Sequence, residues 1–495
     1  SSPDDLRARG AKLEKFGQVL QAMAGARRPK DVPVKITVYF LRTIEDVGNT
    51  LPYPSYGVAG YYSTTMRGPF TVMPRQNRKD PGNGRFTGPT FQALQVLQHE
   101  LTHHFTFQYF TAAYPSWYTE GFADYAGAIE ISDDNVVNVG MFMQSRAATL
   151  RQLAWVPLHK LMNPIPGQRD FPGIAIYSQG WITVHYLNSS PQGRAMLADY
   201  LKRINEGQSF GKALEAFGDI DKLDREVRAY SRRSTLDAVA TKYVNLDPGP
   251  IDVKALSPLE NELVDIQMTL SAGIAASKAQ GFARRVRTIV KADPDNPYSR
   301  RMLIEAERVA GNNAEATTAI DSWLAAAPSD PWANFFKGDM EIAALAAAKS
   351  TDKAAWLAAR TRIRAAMKAM PNEPRFARAF YESYSRSDML PPAVAQNALV
   401  HALKLIPNER SLRLMVANDY EARGMIDDAL SAIGPLAYGL EDESEKDKRR
   451  REHAEDQYKV AEDEDEKETP REMLVRLLKK KADTPPAAQA APKAE

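Results

Sequence analysis

Two histidines and two glutamates give this sequence its clearest chemical signature. Residues 99–103 read His-Glu-Leu-Thr-His, and Glu120 follows His103 by seventeen residues, inside the segment WYTEGFADY. Residues four apart on a helix project from the same side, so His99 and His103 are able to bind one ion. Two imidazoles and one carboxylate, with a fourth position left for water, form the ligand set of a catalytic zinc site.

Glu100 stands beside the first histidine, where a general base would take a proton from the water of such a site. Apolar side chains recur at helical spacing over residues 91–110, which predicts one helix carrying the whole motif. Pro115 predicts the start of a second helix, with Glu120 in its first turns. The chain has only 7 histidines, so this pattern is expected by chance in fewer than about 5% of such chains. The alternative is a structural pair of histidines on an ordinary helix.

At these residues the chain resembles the glutamate zincins, or gluzincins, and specifically the peptidase MA-like group of zinc metallopeptidases. In that group a second helix carries the pattern E-G-x-A-x-Y after a proline-containing loop, as residues 120–125 do here. The resemblance covers about residues 32–232 and includes residues 177–187 (YSQGWITVHYL), similar to the Tyr-x-x-x-Trp helix of the family. The interval from His103 to Glu120 is slightly shorter than in the best-known members.

The resemblance implies a zincin-like α+β domain in which His99, His103 and Glu120 bind zinc and Glu100 is the general base. It also implies a role for Asp124, which is four residues after Glu120. In related enzymes a carboxylate at that position accepts a hydrogen bond from the free nitrogen of a zinc-bound histidine and fixes its orientation. The alternative is an ordinary solvated residue of the helix.

The same resemblance implies two further features, an oxyanion donor and an edge strand that binds substrate. Gluzincins often take the donor that stabilises the oxyanion from a later helix, and here the candidates are Tyr177 and, two turns on, His185; packing in the core is the alternative for either. An edge strand along the cleft pairs with extended substrate, and residues 58–65 or 70–73 are the candidates. Either run is equally consistent with an ordinary strand of a sheet that starts with residues 32–41.

The composition indicates a water-soluble multidomain chain. Its 495 residues, 44% hydrophobic and 25% charged, predict two to three globular domains. A net charge of +2 gives no reason to expect nucleic acid, and no apolar run is long enough to span a membrane. The chain has no cysteine, which fits a bacterial periplasmic protein but also many cytoplasmic ones. Because the chain starts with Ser1 rather than methionine, we expect a mature exported protein, periplasmic or secreted, whose leader has been removed.

The second half of the chain repeats. Similar helix ends finish in proline at four positions whose spacings are 34, 43 and 36 residues. A unit of 34 residues with two helices is the tetratricopeptide period, and the long second spacing fits an extended helix pair. Stacked pairs of this kind form a solenoid with a concave surface, which predicts a docked protein partner. A plain helical bundle is the alternative. The four prolines are Pro294, Pro328, Pro371 and Pro407.

The predicted organisation has four parts. Residues 1–243 form the gluzincin-type domain, residues 244–257 a linker, residues 258–440 an all-α tetratricopeptide-like domain, and residues 441–495 a charged, largely disordered tail. Within that tail, residues 471–481 have the apolar spacing of a short amphipathic helix.

The predicted function is zinc-dependent hydrolysis of a peptide or protein substrate, with the repeats docking a protein. One alternative is a repeat-based scaffold with a vestigial or structural zinc site; Glu100 argues against it, because a structural site needs no base between its ligands. The other alternative is a zinc hydrolase that acts on a bond other than the peptide bond, since the motif does not identify the bond.

Overall fold

The computed structural model describes residues 2–25, 34–52, 58, 60–75, 93–110, 112–165, 170–387, 389–438 and 468–483. The described part of the chain is mostly helical, with two small sheets in its first half. None of the described helices is both long and apolar enough to cross a membrane. The helices and strands of the first half are, in order, α1 (Pro3–Ala24), β1 (Thr37–Leu41), α2 (Ile44–Thr50), β2 (Tyr61–Thr65), β3 (Gly68–Pro74), α3 (Ala93–Tyr109), α4 (Ser116–Gly127), β4 (Glu130–Ile131), β5 (Val136–Val139), α5 (Gln144–Gln152), α6 (Leu158–Leu161), α7 (Ile174–Asn188), α8 (Pro191–Asn205), α9 (Phe210–Ala213), a 3-10 turn (Leu214–Phe217), α10 (Ile220–Tyr230) and β6 (Val239–Lys242).

The second half is an array of helices. In order these are α11 (Pro258–Ala272), α12 (Ala276–Val290), α13 (Pro297–Val309), α14 (Asn313–Ala326), α15 (Pro331–Ala347), α16 (Lys353–Ala369), α17 (Pro374–Ser385), α18 (Ala393–Leu405), α19 (Arg410–Ala422), α20 (Ile426–Ala437) and α21 (Pro470–Asp483).

The first sheet has the strand order β1-β3-β2, with β1 parallel and β2 antiparallel to β3. Strand β2 is therefore an antiparallel edge strand. One face of the sheet packs on α3 through Met73 and Leu97, and the other face packs on α2 and α11 through Val72 and Met268. The strand expected over residues 32–41 is shorter, because β1 begins at Thr37; residues 32–33 lie outside the described ranges.

A second sheet, with the order β4-β5-β6, was not expected from the sequence. Its strands have only two to four residues, too short for a periodic pattern, and Val137 joins the core made with α1. After β6 the chain runs back along α1, where the Asp247 N–H donates to the side chain of Gln18 at 3.2 Å. The predicted linker thus lies against the first half of the chain.

Helices α11 to α20 form five successive pairs that pack on their neighbours in sequence. Four of the first helices in these pairs, α11, α13, α15 and α17, begin with proline at the first turn, where its missing N–H costs nothing. Helices α15 and α16 have 17 residues each, against 13 and 14 in the preceding pair. This extended pair accounts for the long second spacing between prolines.

The expected amphipathic helix near the C-terminus is α21, which covers the last pair of the array. Met473, Leu474 and Leu477 are buried against α20, and Lys481 pairs with Asp427 at 2.7 Å. The rest of the predicted tail, residues 441–467 and 484–495, lies outside the described residues.

Candidate metal centre

Helices α3 and α4 bring the motif and Glu120 together because a glycine lets them pack closely. A Cβ atom at Gly127 on α4 would lie only 3.0 Å from the carbonyl oxygen of Gln95 on α3 and 3.3 Å from the amide nitrogen of His99. Helix α4 starts after Pro115, as the sequence predicted, and Trp117 on its first turn is fully buried.

Two facing glycines make the crossing of α4 and α7 closer still. A Cβ at Gly121 would lie 2.4 Å from the carbonyl carbon of Gly180, and one at Gly180 would lie 2.3 Å from the carbonyl oxygen of Trp117. No side chain fits between these backbones. The crossing brings Tyr177 of α7 beside Glu120 of α4.

The three expected ligands converge on one point. Nε2 of His99 lies 3.0 Å from Nε2 of His103, and Oε2 of Glu120 lies 3.2 Å and 3.3 Å from these two nitrogens. Zinc bonds of 2.0–2.1 Å in a tetrahedron separate neighbouring ligand atoms by about 3.3 Å. The spacing of the three atoms therefore fits a zinc ion without any movement of the side chains.

Hydrogen bonding also fits a cation at this point. Oε2 of Glu120 is buried, and it has no hydrogen-bond partner among the described residues. Nδ1 of His99 lies 2.9 Å from the Asp124 carboxylate, so Nδ1–H donates there and Nε2 is the nitrogen that faces Glu120. A positive charge, either a bound cation or the proton of a charged His99 ring, is needed between Nε2 and the buried carboxylate oxygen 3.2 Å away.

Asp124 is itself held by a residue that the sequence did not indicate. Nε and Nη2 of Arg146, on α5, donate to the two carboxylate oxygens at 2.6 Å and 2.9 Å. The guanidinium carbon also lies 5.0 Å from the centre of the Tyr177 ring. Arg146 thus fixes the carboxylate that orients His99. Since it comes from a different helix with no distinctive spacing, the sequence carried no signal for it.

The pKa shifts in this cluster have separate causes. Burial opposes ionisation of Glu120, but the two histidines outweigh burial and hold its pKa far below the usual range. Burial likewise disfavours the charged ring of His99, yet Asp124 and Glu120 raise its pKa well above the usual value. The pKa of Glu100 is raised because burial outweighs the attraction of the histidines.

Strand β2 meets the metal centre at Tyr62. Its backbone N–H donates to the Glu100 carboxylate, and its hydroxyl lies 3.3 Å from Nδ1 of His104. Of the two candidate strands, β2 is therefore the one that runs along the site, whereas β3 is the central strand of the sheet. The sequence offered both and had no means to choose between them.

The two candidates for the oxyanion donor have different surroundings. The Tyr177 ring stacks on His99 with 6.4 Å between centroids, and burial raises the pKa of its phenol, so the hydroxyl remains a donor. His185 is buried with both nitrogens engaged, Nε2 at 2.8 Å from the Gly140 carbonyl and Nδ1 at 2.9 Å from the Tyr230 hydroxyl. His185 is therefore part of the core, whereas Tyr177 is the candidate whose ring lies beside His99.

Neither a known protein family nor a curated protein matches this chain. Solved structures that resemble it include a thermophilic TPR protein from Thermus thermophilus, with 17% identity and a TM-score of 0.31, over 40% of this chain and 98% of that one. Another is MamA, with 14% identity and a TM-score of 0.25, over 40% of this chain and 99% of that one. TM-scores this low do not establish a shared fold. The evidence for helical repeats is the packing of successive helix pairs within the chain itself.

Proposed function

We propose that the protein is a zinc-dependent hydrolase that cleaves peptide bonds. The observation that carries this proposal is the meeting of three ligand atoms within 3.3 Å of one another, next to the half-buried Glu100. His99, His103 and Glu120 would hold the ion. Bound there, zinc supplies Lewis-acid polarisation of the carbonyl group and acidifies a water molecule.

The other steps of the proposed hydrolysis are assigned to side chains around the ion. Glu100 accepts the proton of the attacking water and delivers it to the leaving amine, which its raised pKa favours. The Tyr177 hydroxyl donates a hydrogen bond to the developing oxyanion. Asp124 and Arg146 keep the His99 ring in the tautomer that presents Nε2 to the ion.

Strand β2 supports a peptide as the substrate. In the register with β3, Tyr62 faces Thr71, and the Tyr62 N–H is directed away from β3 toward Glu100. The outer edge of β2 therefore presents backbone groups beside the base. An extended peptide that paired with this edge would have its carbonyl groups next to the metal centre.

Metal analysis and hydrolysis assays on matched variants test this proposal. Glu100→Gln should keep zinc but lower turnover of a peptide library by about a thousandfold. His103→Ala should lose zinc, whereas Glu130→Gln, which changes an exposed glutamate of β4, should behave as the wild type. Purified protein without zinc, or hydrolysis that does not depend on Glu100, would refute the proposal.

A binding or scaffold protein is the second candidate, and the stacked helix pairs α11 to α20 favour it. The same experiment separates the two, because a scaffold with a structural ion would bind zinc and show no Glu100-dependent hydrolysis. Hydrolysis of esters or other bonds, dependent on Glu100 and without peptide cleavage, would instead identify a hydrolase of another class.

A further inference from the structure

The helical repeats contact the turn that joins β2 and β3. Nε of Arg67, in this turn, donates to Oε2 of Glu305 on α13 at 2.9 Å. Glu305 also accepts from Arg301 at 2.8 Å and from Arg375 of α17 at 3.0 Å. The side chains of Arg67 and Glu305 are only 14% and 4% exposed, so this is a buried contact between the two halves of the chain.

Aromatic and apolar side chains surround this contact. The guanidinium carbons of Arg301 and Arg375 lie 3.9 Å and 4.3 Å from the centre of the Trp332 ring on α15. Met66, next to Arg67 in the turn, packs against the same hydrophobic cluster. Helices α13, α15 and α17 together form the face that surrounds Glu305. This face binds the chain's own hairpin.

A second contact lies at the far end of the array. A Cβ at Gly434 on α20 would be 3.0 Å from the Cβ of Ala113, in the segment between α3 and α4. Just after α20, the Tyr438 ring meets the Phe210 ring at 4.6 Å between centroids. The repeats are therefore attached both to the sheet and to the helical part of the first half.

The β2–β3 turn and Ala113 both lie toward the C-terminal end of α3, the helix that carries His99 and His103. Strand β2 runs in the same direction as α3, since Gly60 lies against Val96 and Tyr62 lies against Glu100, one turn further along the helix. The turn beyond β2 consequently lies toward the C-terminal end of α3, where the chain continues to Ala113. The helices from α13 to α20 span the distance between these two points.

We infer that the helical repeats close this end of the active-site cleft, so that the substrates are short peptides or the ends of longer chains. From Tyr62 beside the base to Arg67 at the repeats is five residues of chain. At about 3.3 Å per residue this is about 17 Å. A peptide extended along β2 thus has room for about five residues on that side of the cleaved bond. The inference rests on the proposed function and names its substrate class.

A length series on the full-length wild type tests the inference. A cleavable core sequence from the library is extended by 2 to about 20 Gly-Ser residues at its N-terminus, its C-terminus or both. We expect kcat/KM to fall at least about 100-fold once the extension on one side passes about five residues, and to change little on the other side. Binding of fluorescein-labelled peptides to zinc-loaded Glu100→Gln, followed by anisotropy, should show the same one-sided limit without turnover.

Two variants test whether the repeats set the limit. Arg67→Ala together with Tyr438→Ala removes one contact at each end of the array and should raise kcat/KM for the long peptides about tenfold, with short peptides unaffected. Arg287→Ala is the matched control, because it removes a 2.5 Å pair with buried Glu307 inside the repeats and should leave the limit in place.

The inference would be overturned if long extensions at either end, or at both ends, left kcat/KM equal to that of the core peptide. Cleavage of the same sequence in a cyclic peptide would also overturn it. Either result would leave the proposed function intact. Absence of Glu100-dependent hydrolysis for every peptide would instead refute the proposed function. If the double variant does not fold, the length series on the wild type still shows whether one end of the cleft is closed.

Discussion

The Nδ1–H of His99 donates to the carboxylate of Asp124 at 2.9 Å. The opposite ring nitrogen is thereby directed to the point where His103 and Glu120 meet. The carboxylate is in turn fixed by two hydrogen bonds from Arg146. This chain of contacts fixes the orientation of the His99 ring, one of the three candidate ligands.

Asp124→Ala should lower the affinity for zinc about 10-fold to 100-fold, because the His99 ring loses the partner that sets its tautomer and orientation. The affinity is measured by competition with a chromophoric chelator. Asp133→Ala removes an exposed aspartate of the same domain and should leave the affinity unchanged. An Asp124→Ala variant with wild-type affinity would show that Asp124 is an ordinary residue of the helix.

The convergence of His99, His103 and Glu120 was predictable because its signal in the sequence is local. The spacing of His99 and His103 follows from the helical repeat, and Glu120 lies in the next helix of the chain. Arg146 and Tyr62 were not predictable in the same way. Each reaches the site only through the packing of separate elements, and neither stands in a pattern that distinguishes it from other residues of its type.

In the helical repeats, too, the local features were predictable and the long-range contacts were not. The proline spacings predicted the succession of helix pairs, including the extended pair α15 and α16. They contained no information on what the array contacts. Arg67 and Glu305 are 238 positions apart, and a pairing at that distance depends on the tertiary arrangement of the sheet and the repeats.

Tyr177→Phe should lower kcat about 100-fold with little change in KM, because the variant loses a hydrogen bond made mainly to the developing oxyanion. Zinc content should not change. Tyr186→Phe is the control on the same helix, since its hydroxyl bonds Glu226 at 2.8 Å, away from the metal centre. A Tyr177→Phe variant with wild-type kcat would assign the ring to packing on His99.

Gly121→Ala should prevent the close crossing of α4 and α7, because the added Cβ would lie 2.4 Å from the carbonyl carbon of Gly180. The helices must separate, and Glu120 moves with its helix away from the histidines. We expect a lower zinc affinity and a lower midpoint in thermal unfolding followed by circular dichroism. Gly17→Ala, in α1 with no atom within 4 Å of the added Cβ, should be neutral or stabilising by about 0.5–1 kcal/mol. Equal behaviour of the two variants would contradict the packing argument.

The buried cluster around Glu305 predicts how stability depends on pH. Burial alone would raise the pKa of this carboxyl, but Arg67, Arg375 and Arg301 outweigh burial and hold the pKa well below its usual range. A group whose pKa is lower in the folded protein stabilises the fold above its unfolded pKa of about 4.3. That contribution is lost progressively as the pH falls from this value through the folded pKa.

Urea unfolding of the wild type between pH 7 and pH 3 should therefore show stability falling on acidification. Glu305→Gln should be less stable at pH 7, by about 3–5 kcal/mol, because three arginines lose their shared buried carboxylate. The variant should then lose less stability than the wild type as the pH is lowered, since the group that titrates is gone. Glu130→Gln, which alters an exposed glutamate, should retain the wild-type slope. Parallel curves for Glu305→Gln and the wild type would mean that this cluster does not contribute to the acid sensitivity of the fold.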